Sequence, residues 1–227
     1  RAIAEARGDW LLFTDDDVLV DRNWLVHYIA AMRRFPEAGF LGGRVRPYWP
    51  EGRPRWVRDE RMSLISGLLV CYDLGQDDRR YLPDDPLPFG ASFALHRAVS
   101  GRVGGFRRDL GVKGESLGRG EETEYLQRVR AFGWEGAYVG GAGVQHCTDR
   151  RRLAFPYLFR YGLDKGRSEV RNAEADGVSV GLGVASFLLR ALAQQLGGRG
   201  DRSRQCVIMA GIALGRASGH QDATLAD

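Results

Sequence analysis

The run Trp10-Leu11-Leu12-Phe13, closed by Thr14 and three consecutive aspartates, constrains this chain more than any other feature. Four apolar residues after the Gly8-Asp9 turn predict a strand covered on both faces, as in a parallel sheet. Asp15, Asp16 and Asp17 then fall at the carboxyl end of that strand, the edge at which open α/β sheets bind ligands. Adjacent carboxylates repel, so a stable arrangement calls for a cation or strong hydrogen-bond donors. Oxygen ligands on Asp15 and Asp17, with room for diphosphate oxygens, suit Mg2+ or Mn2+. The competing expectation is a solvated acidic turn that caps the helix behind it.

In that helix Trp24, Leu25, Tyr28, Ile29 and Met32 fall at helical spacing, with Asp21 as its cap and Pro36 as its stop. Gly39-Phe40-Leu41 begins a short strand. From Arg44 to Pro88 the pattern breaks into prolines, arginines and aspartates, a long excursion of the kind that covers a substrate. Phe89 to Leu95 reads as a strand again. The spacing of Tyr125, Leu126, Val129 and Phe132 predicts a helix from Glu121 to Phe132, stopped by Gly133. Ala137-Tyr138-Val139 and Val144-Gln145-His146 read as two short strands. Beyond Arg150 the chain is arginine-rich and helical, with amphipathic segments at Val184–Leu196 and Arg204–Leu214 separated by Gly197-Gly198-Arg199-Gly200. The expected division is a catalytic domain over 1–168 and a helical tail over 169–227.

A second acidic group, Gly120-Glu121-Glu122-Thr123-Glu124, opens the Glu121 helix behind a glycine-rich approach. Acids in a first helical turn are favoured by the helix dipole alone. Their position downstream of the aspartates also makes Glu121 and Glu122 candidates for a catalytic base. His146 closes a strand and is either a third metal ligand or an ordinary structural histidine. His27, His96 and His220 read as structural or surface groups.

With 44% hydrophobic and 27% charged residues, the chain can bury a core. Its net charge of +4 is carried almost wholly by arginine, since Lys113 and Lys165 are the lysines. A modest arginine excess suits phosphate ligands or anionic headgroups, and no nucleic-acid recognition motif accompanies it. Cys71, Cys147 and Cys206 lack the spacing of a zinc site or a disulfide frame and read as reduced thiols of a cytoplasmic protein. The uncharged runs Gly177–Leu189 and Gln205–Gly215 are shorter than the roughly 20 residues of a spanning helix.

Several segments together resemble glycosyltransferase family 2. Ala6-Arg7-Gly8-Asp9-Trp10-Leu11-Leu12-Phe13-Thr14-Asp15-Asp16-Asp17 is similar to that family's strand and DxD motif. Phe35-Pro36-Glu37-Ala38-Gly39-Phe40-Leu41-Gly42-Gly43-Arg44-Val45 resembles the segment that follows it. Gly90-Ala91-Ser92-Phe93-Ala94-Leu95-His96-Arg97 resembles the sugar-side strand, with Ser92 where asparagine is usual. Val103-Gly104-Gly105-Phe106 and Leu117-Gly118-Arg119-Gly120-Glu121-Glu122-Thr123-Glu124 continue the likeness, which runs from Arg1 to about Ser168.

The resemblance implies a GT-A type α/β fold with a mostly parallel sheet, N-terminally truncated and carrying a helical C-terminal tail. It implies an inverting, metal-dependent transfer from a nucleotide-diphosphate sugar to a saccharide or lipid-linked acceptor. On that basis Asp15, Asp16, Gly90 and Ala91 contact the donor, and Asp15, Asp17 and His146 hold the metal. Glu122 stands where the family places an aspartate base, with Glu121 as the alternative. No Gln-x-x-Arg-Trp motif follows, which argues against a processive polysaccharide synthase. About two βα units that hold the nucleotide base precede the DxD strand in the family, so residues 1–227 read as a fragment that is poor or inactive as a transferase. The tail either packs as ordinary helices or makes a peripheral contact with the inner membrane face through Arg150, Arg151, Arg152, Arg160 and Arg167. The alternatives are a non-catalytic sugar-nucleotide-binding or scaffold domain and a haloacid-dehalogenase-like phosphotransferase. The latter needs a phosphate-binding lysine, for which Lys113 and Lys165 lack the setting.

Overall fold

The computed structural model describes residues 2–54, 57, 63–107, 110, 120–171 and 181–224. The chain divides into two compact units. One comprises Arg1–Pro50, Leu69–Arg107 and Glu121–Thr148; the other comprises Glu51–Leu68, Arg108–Gly120 and Asp149–Asp227. The boundary expected at residue 168 falls inside an unbroken helix, Phe155–Arg171.

The first unit is a mixed sheet with helices on both faces. In chain order it holds α1 (Ala2–Glu5), β1 (Trp10–Thr14), β2 (Val18–Val20), α2 (Trp24–Arg34) and β3 (Phe40–Tyr48). After α3 (Ser63–Leu69), which up to Leu68 belongs to the other unit, come β4 (Arg79–Arg80), β5 (Ser92–His96), α4 (Arg97–Val103), α5 (Glu121–Ala131) and β6 (Gly136–Cys147). Strand order is β1-β5-β3-β6-β2, with β4 also on β6. Side chains alternate across the sheet, as the two-residue period of a strand requires. Leu11, Phe40, Phe93 and Leu95 pack with Val99, Val103, Tyr125, Leu126 and Val129 from α4 and α5. Leu41, Ala94, Ala137 and Val139 face the other way, onto Tyr28, Ala31 and Phe35. Each fully buried large side chain contributes about 1.5–3 kcal/mol. α2 starts where expected, but Asn23 is its cap; the Asp21 carboxylate accepts from the Asn23 amide at 2.8 Å.

The α/β class and the helical C-terminal part are as expected, but a mostly parallel sheet is not what the described strands form. β3 and β6 are parallel, whereas β1·β5, β3·β5, β2·β6 and β4·β6 are antiparallel. β1 is an edge strand with Leu11 as its one buried residue. The apolar run Trp10–Phe13 signals helices on both faces of the sheet, and it carries no information about the direction of its partner. The two short strands expected near residues 137 and 144 are one twelve-residue strand, β6, with a bulge opposite Gly43/Arg44. Part of the expected excursion after Arg44 continues β3, and Tyr72 then pairs with Val45 in an isolated bridge.

The second unit is helical: a 3₁₀ turn (Arg150–Leu153), α6 (Phe155–Arg171), α7 (Gly181–Leu196) and α8 (Gly200–Thr224). α6 and α8 touch backbone to backbone. A methyl group on Gly162 would collide with the Ile208 carbonyl, one on Gly211 with the Phe159 carbonyl, and one on Gly215 with the Leu163 carbonyl. Because the contacts advance together along both helices, α6 and α8 run in the same direction. Glu169 joins them, taking Lys165 at 3.1 Å and Arg216 at 2.9 Å. α7 turns its Ala191 side to α8, where the Ser203 hydroxyl donates to the Ala191 carbonyl at 2.8 Å.

Candidate active site

The aspartate triplet crosses from one edge of the sheet to the other. β1 and β2 are the outermost strands, and four strand spacings amount to about 19 Å. Four extended residue steps cover only about 14 Å. The crossing runs past the end of β5, which begins at Ser92 opposite Thr14, to the part of β6 beyond its bulge, where β2 pairs. Thr14 fixes the near side, its hydroxyl donating to the Ala91 carbonyl at 3.1 Å. On the far side the Cys147 amide donates to the Asp17 carbonyl at 3.0 Å, and Val18 lies in register with His146.

This folding brings Asp15, Asp17 and His146 together, with one ligand atom from each lying within 4.8 Å of the others. His146 is 5% exposed, and its Nε2 is 3.3 Å from Asp17 Oδ1. Partial burial pushes the Asp15 carboxyl up. The Asp17 charge adds to this, His146 opposes it, and Asp16 adds a smaller push. A cation would relieve both the desolvation and the repulsion. Two carboxylates and an imidazole suit a divalent ion that accepts nitrogen as well as oxygen. Asp16 is exposed and stands outside this cluster.

Of the glutamates that open α5, Glu122 points its carboxylate at Gly90. A methyl group on Gly90 would collide with Glu122 Oε1. Since Thr14 holds Ala91, the Glu122 carboxylate and the start of the aspartate triplet flank one turn. Glu121 Oε2 is buried with no hydrogen-bond partner among the described residues. Glu124 is committed elsewhere: it pairs with Arg128, whose guanidinium also donates to the Val103 and Gly105 carbonyls at 2.9 Å. Ser92 faces away from this turn. It is fully buried, accepts from Trp24 Nε1 at 3.0 Å and shares a 3.0 Å hydrogen bond with the Tyr28 hydroxyl.

Sequence reasoning named these residues but missed β2 and the Gly90–Glu122 approach. The run Val18-Leu19-Val20, directly after the triplet, was the available strand signal. His96 caps α4 and packs edge-on to Trp10, and His27 covers Gly141, so both are structural. The motif residues Leu117, Gly118 and Arg119, and also Lys113, lie outside the described residues. Lys165 is paired with Glu169.

Residues 1–102, which carry the triplet and the Gly90 turn, match the family model described as Glycosyl transferase family 2. Over those residues the chain is similar to glycosyl transferase family 2. The succinoglycan biosynthesis protein ExoM of Rhizobium meliloti (strain 1021) is 27% identical over 164 residues, covering 70% of this chain and 48% of that protein. The chain thus spans about half the length of the curated relative. Among solved structures, it is similar to the mannosyltransferase PcManGT from Pyrobaculum calidifontis in complex with GDP-Man and Mn2+. That likeness has a TM-score of 0.49 and 15% identity, over 100% of this chain and 53% of the other. GalNAc-T7 with UDP, GalNAc and Mn2+ gives a TM-score of 0.45 and 14% identity, over 99% and 43%.

Proposed function

We propose that this chain is a member of glycosyl transferase family 2 and belongs to an inverting, metal-dependent transferase of GT-A type, which moves a sugar from a nucleotide diphosphate to an acceptor hydroxyl. The observation that carries this is the Asp15–Asp17–His146 donor cluster, reached by the aspartate crossing, with the Glu122 carboxylate beside the Gly90-Ala91 turn.

In this reading Asp15, Asp17 and the neutral imidazole of His146 hold a divalent cation, and the nitrogen ligand favours Mn2+ over Mg2+. Bound there, the ion would neutralise charge that builds on the leaving diphosphate. Gly90 and Ala91 present backbone to the sugar side of the donor. Glu122 takes the acceptor hydroxyl proton while the acceptor oxygen bonds to the anomeric carbon from the face opposite the diphosphate. The carbon–diphosphate bond breaks in the same step, so configuration inverts. Glu121 is the weaker candidate for the base, because its Oε2 is buried.

The name of the Rhizobium relative motivates a polysaccharide-assembly setting, with a saccharide or lipid-linked acceptor on the cytoplasmic side of a membrane. A panel of nucleotide sugars titrated into the chain with Mn2+, read by calorimetry and by sugar release, tests the reading. Mn2+-dependent binding of at least one donor, lost in Asp17→Ala, is the expected result. Donor binding that ignores both Mn2+ and that substitution would overturn it in favour of a non-catalytic binding domain.

A further inference from the structure

Three of the five arginines that the sequence offered for a membrane contact are engaged within the helical unit. Arg150 donates to the Glu51 and Gly52 carbonyls, Arg151 pairs with Asp149, and Arg167 donates to Ser218. Among the described residues of this unit, the most exposed large apolar side chains lie on α7. Leu188, Leu189, Leu192 and Leu196 are 44%, 69%, 59% and 81% exposed. Leu189, Leu192 and Leu196 follow the i, i+3, i+7 spacing of one helix face. The buried Ala191 lies on the opposite side, toward α8. Most surface helices reverse this arrangement, with charged residues outward and leucines inward.

We propose that the outward face of α7 rests on an anionic lipid bilayer, with its leucines among the acyl chains and Arg190 and Arg199 at the headgroups. Charge selects this occupant. Between residues 181 and 200 there is no aspartate or glutamate, and the charged residues are Arg190 and Arg199, both exposed. A helix with leucine on one side and arginine at its rim has the composition of an in-plane interfacial helix. No described helix is long and apolar enough to cross a membrane.

Size argues against a second copy of the chain as the occupant. A sixteen-residue helix is about 24 Å long and about 10 Å wide, so two such faces bury on the order of 500 Å². A stable protein interface needs roughly 1,000 Å² or more. Leucines entering lipid need no complementary surface.

The inference goes beyond the transfer reading, and its test involves no nucleotide sugar, so either can fail without the other. The 227-residue chain is floated with vesicles of phosphatidylcholine alone and with added phosphatidylglycerol, at low and high salt. Binding to the anionic vesicles, weakened by salt, is expected. Leu189→Ser with Leu192→Ser and Leu196→Ser should lower partitioning at least about tenfold while circular dichroism and the thermal transition stay in place. Arg190→Gln and Arg199→Gln should each cost about fivefold, on anionic vesicles only. Leu189→Trp, which keeps the apolar face, should give blue-shifted emission with vesicles that brominated lipid quenches, beyond the signal of the unsubstituted chain. No vesicle binding, or equal binding by the serine variant, overturns the proposal. So does a dimer in light scattering that the serine substitutions dissolve, because the face would then belong to a second copy.

Discussion

Nε2 of His146 lies 3.3 Å from Oδ1 of Asp17, because β2 folds back on β6 and sets Val18 level with His146. The aspartates leave β1 at one sheet edge, and their third member reaches a histidine carried by a different strand. If the cluster binds a cation, that ion ties both edges together. Saturating Mn2+ should therefore raise the thermal transition of the chain, since a ligand at about 100 times its Kd stabilises by about 2.7 kcal/mol. Asp17→Ala and His146→Ala should each abolish the Mn2+ shift; the half-exposed Asp17 position should leave the metal-free transition close to that of the parent, whereas emptying the buried His146 site should lower it. A full shift in both variants would remove the site.

Asp15 should make the metal-free fold pH-sensitive. Its folded pKa lies above the unfolded value of 3.8, through burial first and Asp17 second. Between the two pKa values the native state binds more protons than the unfolded one, so stability falls as pH rises through that window and stays lower at neutral pH. Asp15→Asn should then raise the metal-free thermal transition at pH 7, narrow the gap between pH 4 and pH 7, and lose the Mn2+ response. Thermal melts across pH, with and without Mn2+, check all three outcomes.

The two glutamates at the start of α5 should separate in kinetics. Glu122→Gln should lower turnover by about two orders of magnitude or more with donor affinity kept, as for loss of a general base. Glu121→Gln replaces a buried, unpaired oxygen and should leave turnover within a few-fold. The opposite pattern would exchange their roles.

Gly90 should matter for the placement of Glu122. Gly90→Ala puts a methyl group against Glu122 Oε1, so the carboxylate must move. Turnover should fall about tenfold or more, given the steep dependence of catalysis on position, with Mn2+ binding unchanged. Combined with Glu122→Gln the loss should be much less than multiplicative. Full multiplicativity would show that Gly90 acts by another route.

Gly211→Val should destabilise the helical unit selectively, since its side chain would enter the backbone of α6 at Phe159 and Leu163. Overpacking of this kind costs about 1–3 kcal/mol, and more where backbone is struck. Urea denaturation followed by helical circular dichroism should give a lower midpoint than for Ala193→Val on the exposed side of α7.

Local pattern made β1, α2 and α5 legible, because each states its own period and its own stop. What stayed hidden depends on neighbours. β6 reads as two pieces because Gly140 and Gly141 interrupt its apolar run. Those glycines make room for the Gln76 backbone and the His27 ring, which a Cβ would strike. α6 went unmarked because Gly162 and Gly166 look like helix breakers until α8 is seen against them. Antiparallel pairing is invisible to a two-residue period, which records faces and not partners. In the site, residue types in sequence pointed to Asp15, Asp17, His146 and Glu122. The meeting of Asp17 with His146, and of Glu122 with Gly90, required the sheet.

The short crossing from β1 to β2 also sets a tolerance for length. Asp15, Asp16 and Asp17 are the whole connection from β1 to β2, with a turn at Asp16-Asp17, whereas most surface connections accept extra residues at little cost. One residue inserted here would turn β2 over, exchanging the sides of Val18 and Leu19 and carrying Asp17 off His146. The triplet works as a spacer of fixed gauge, and directed evolution of this chain should find insertions elsewhere long before it finds one between Thr14 and Val18.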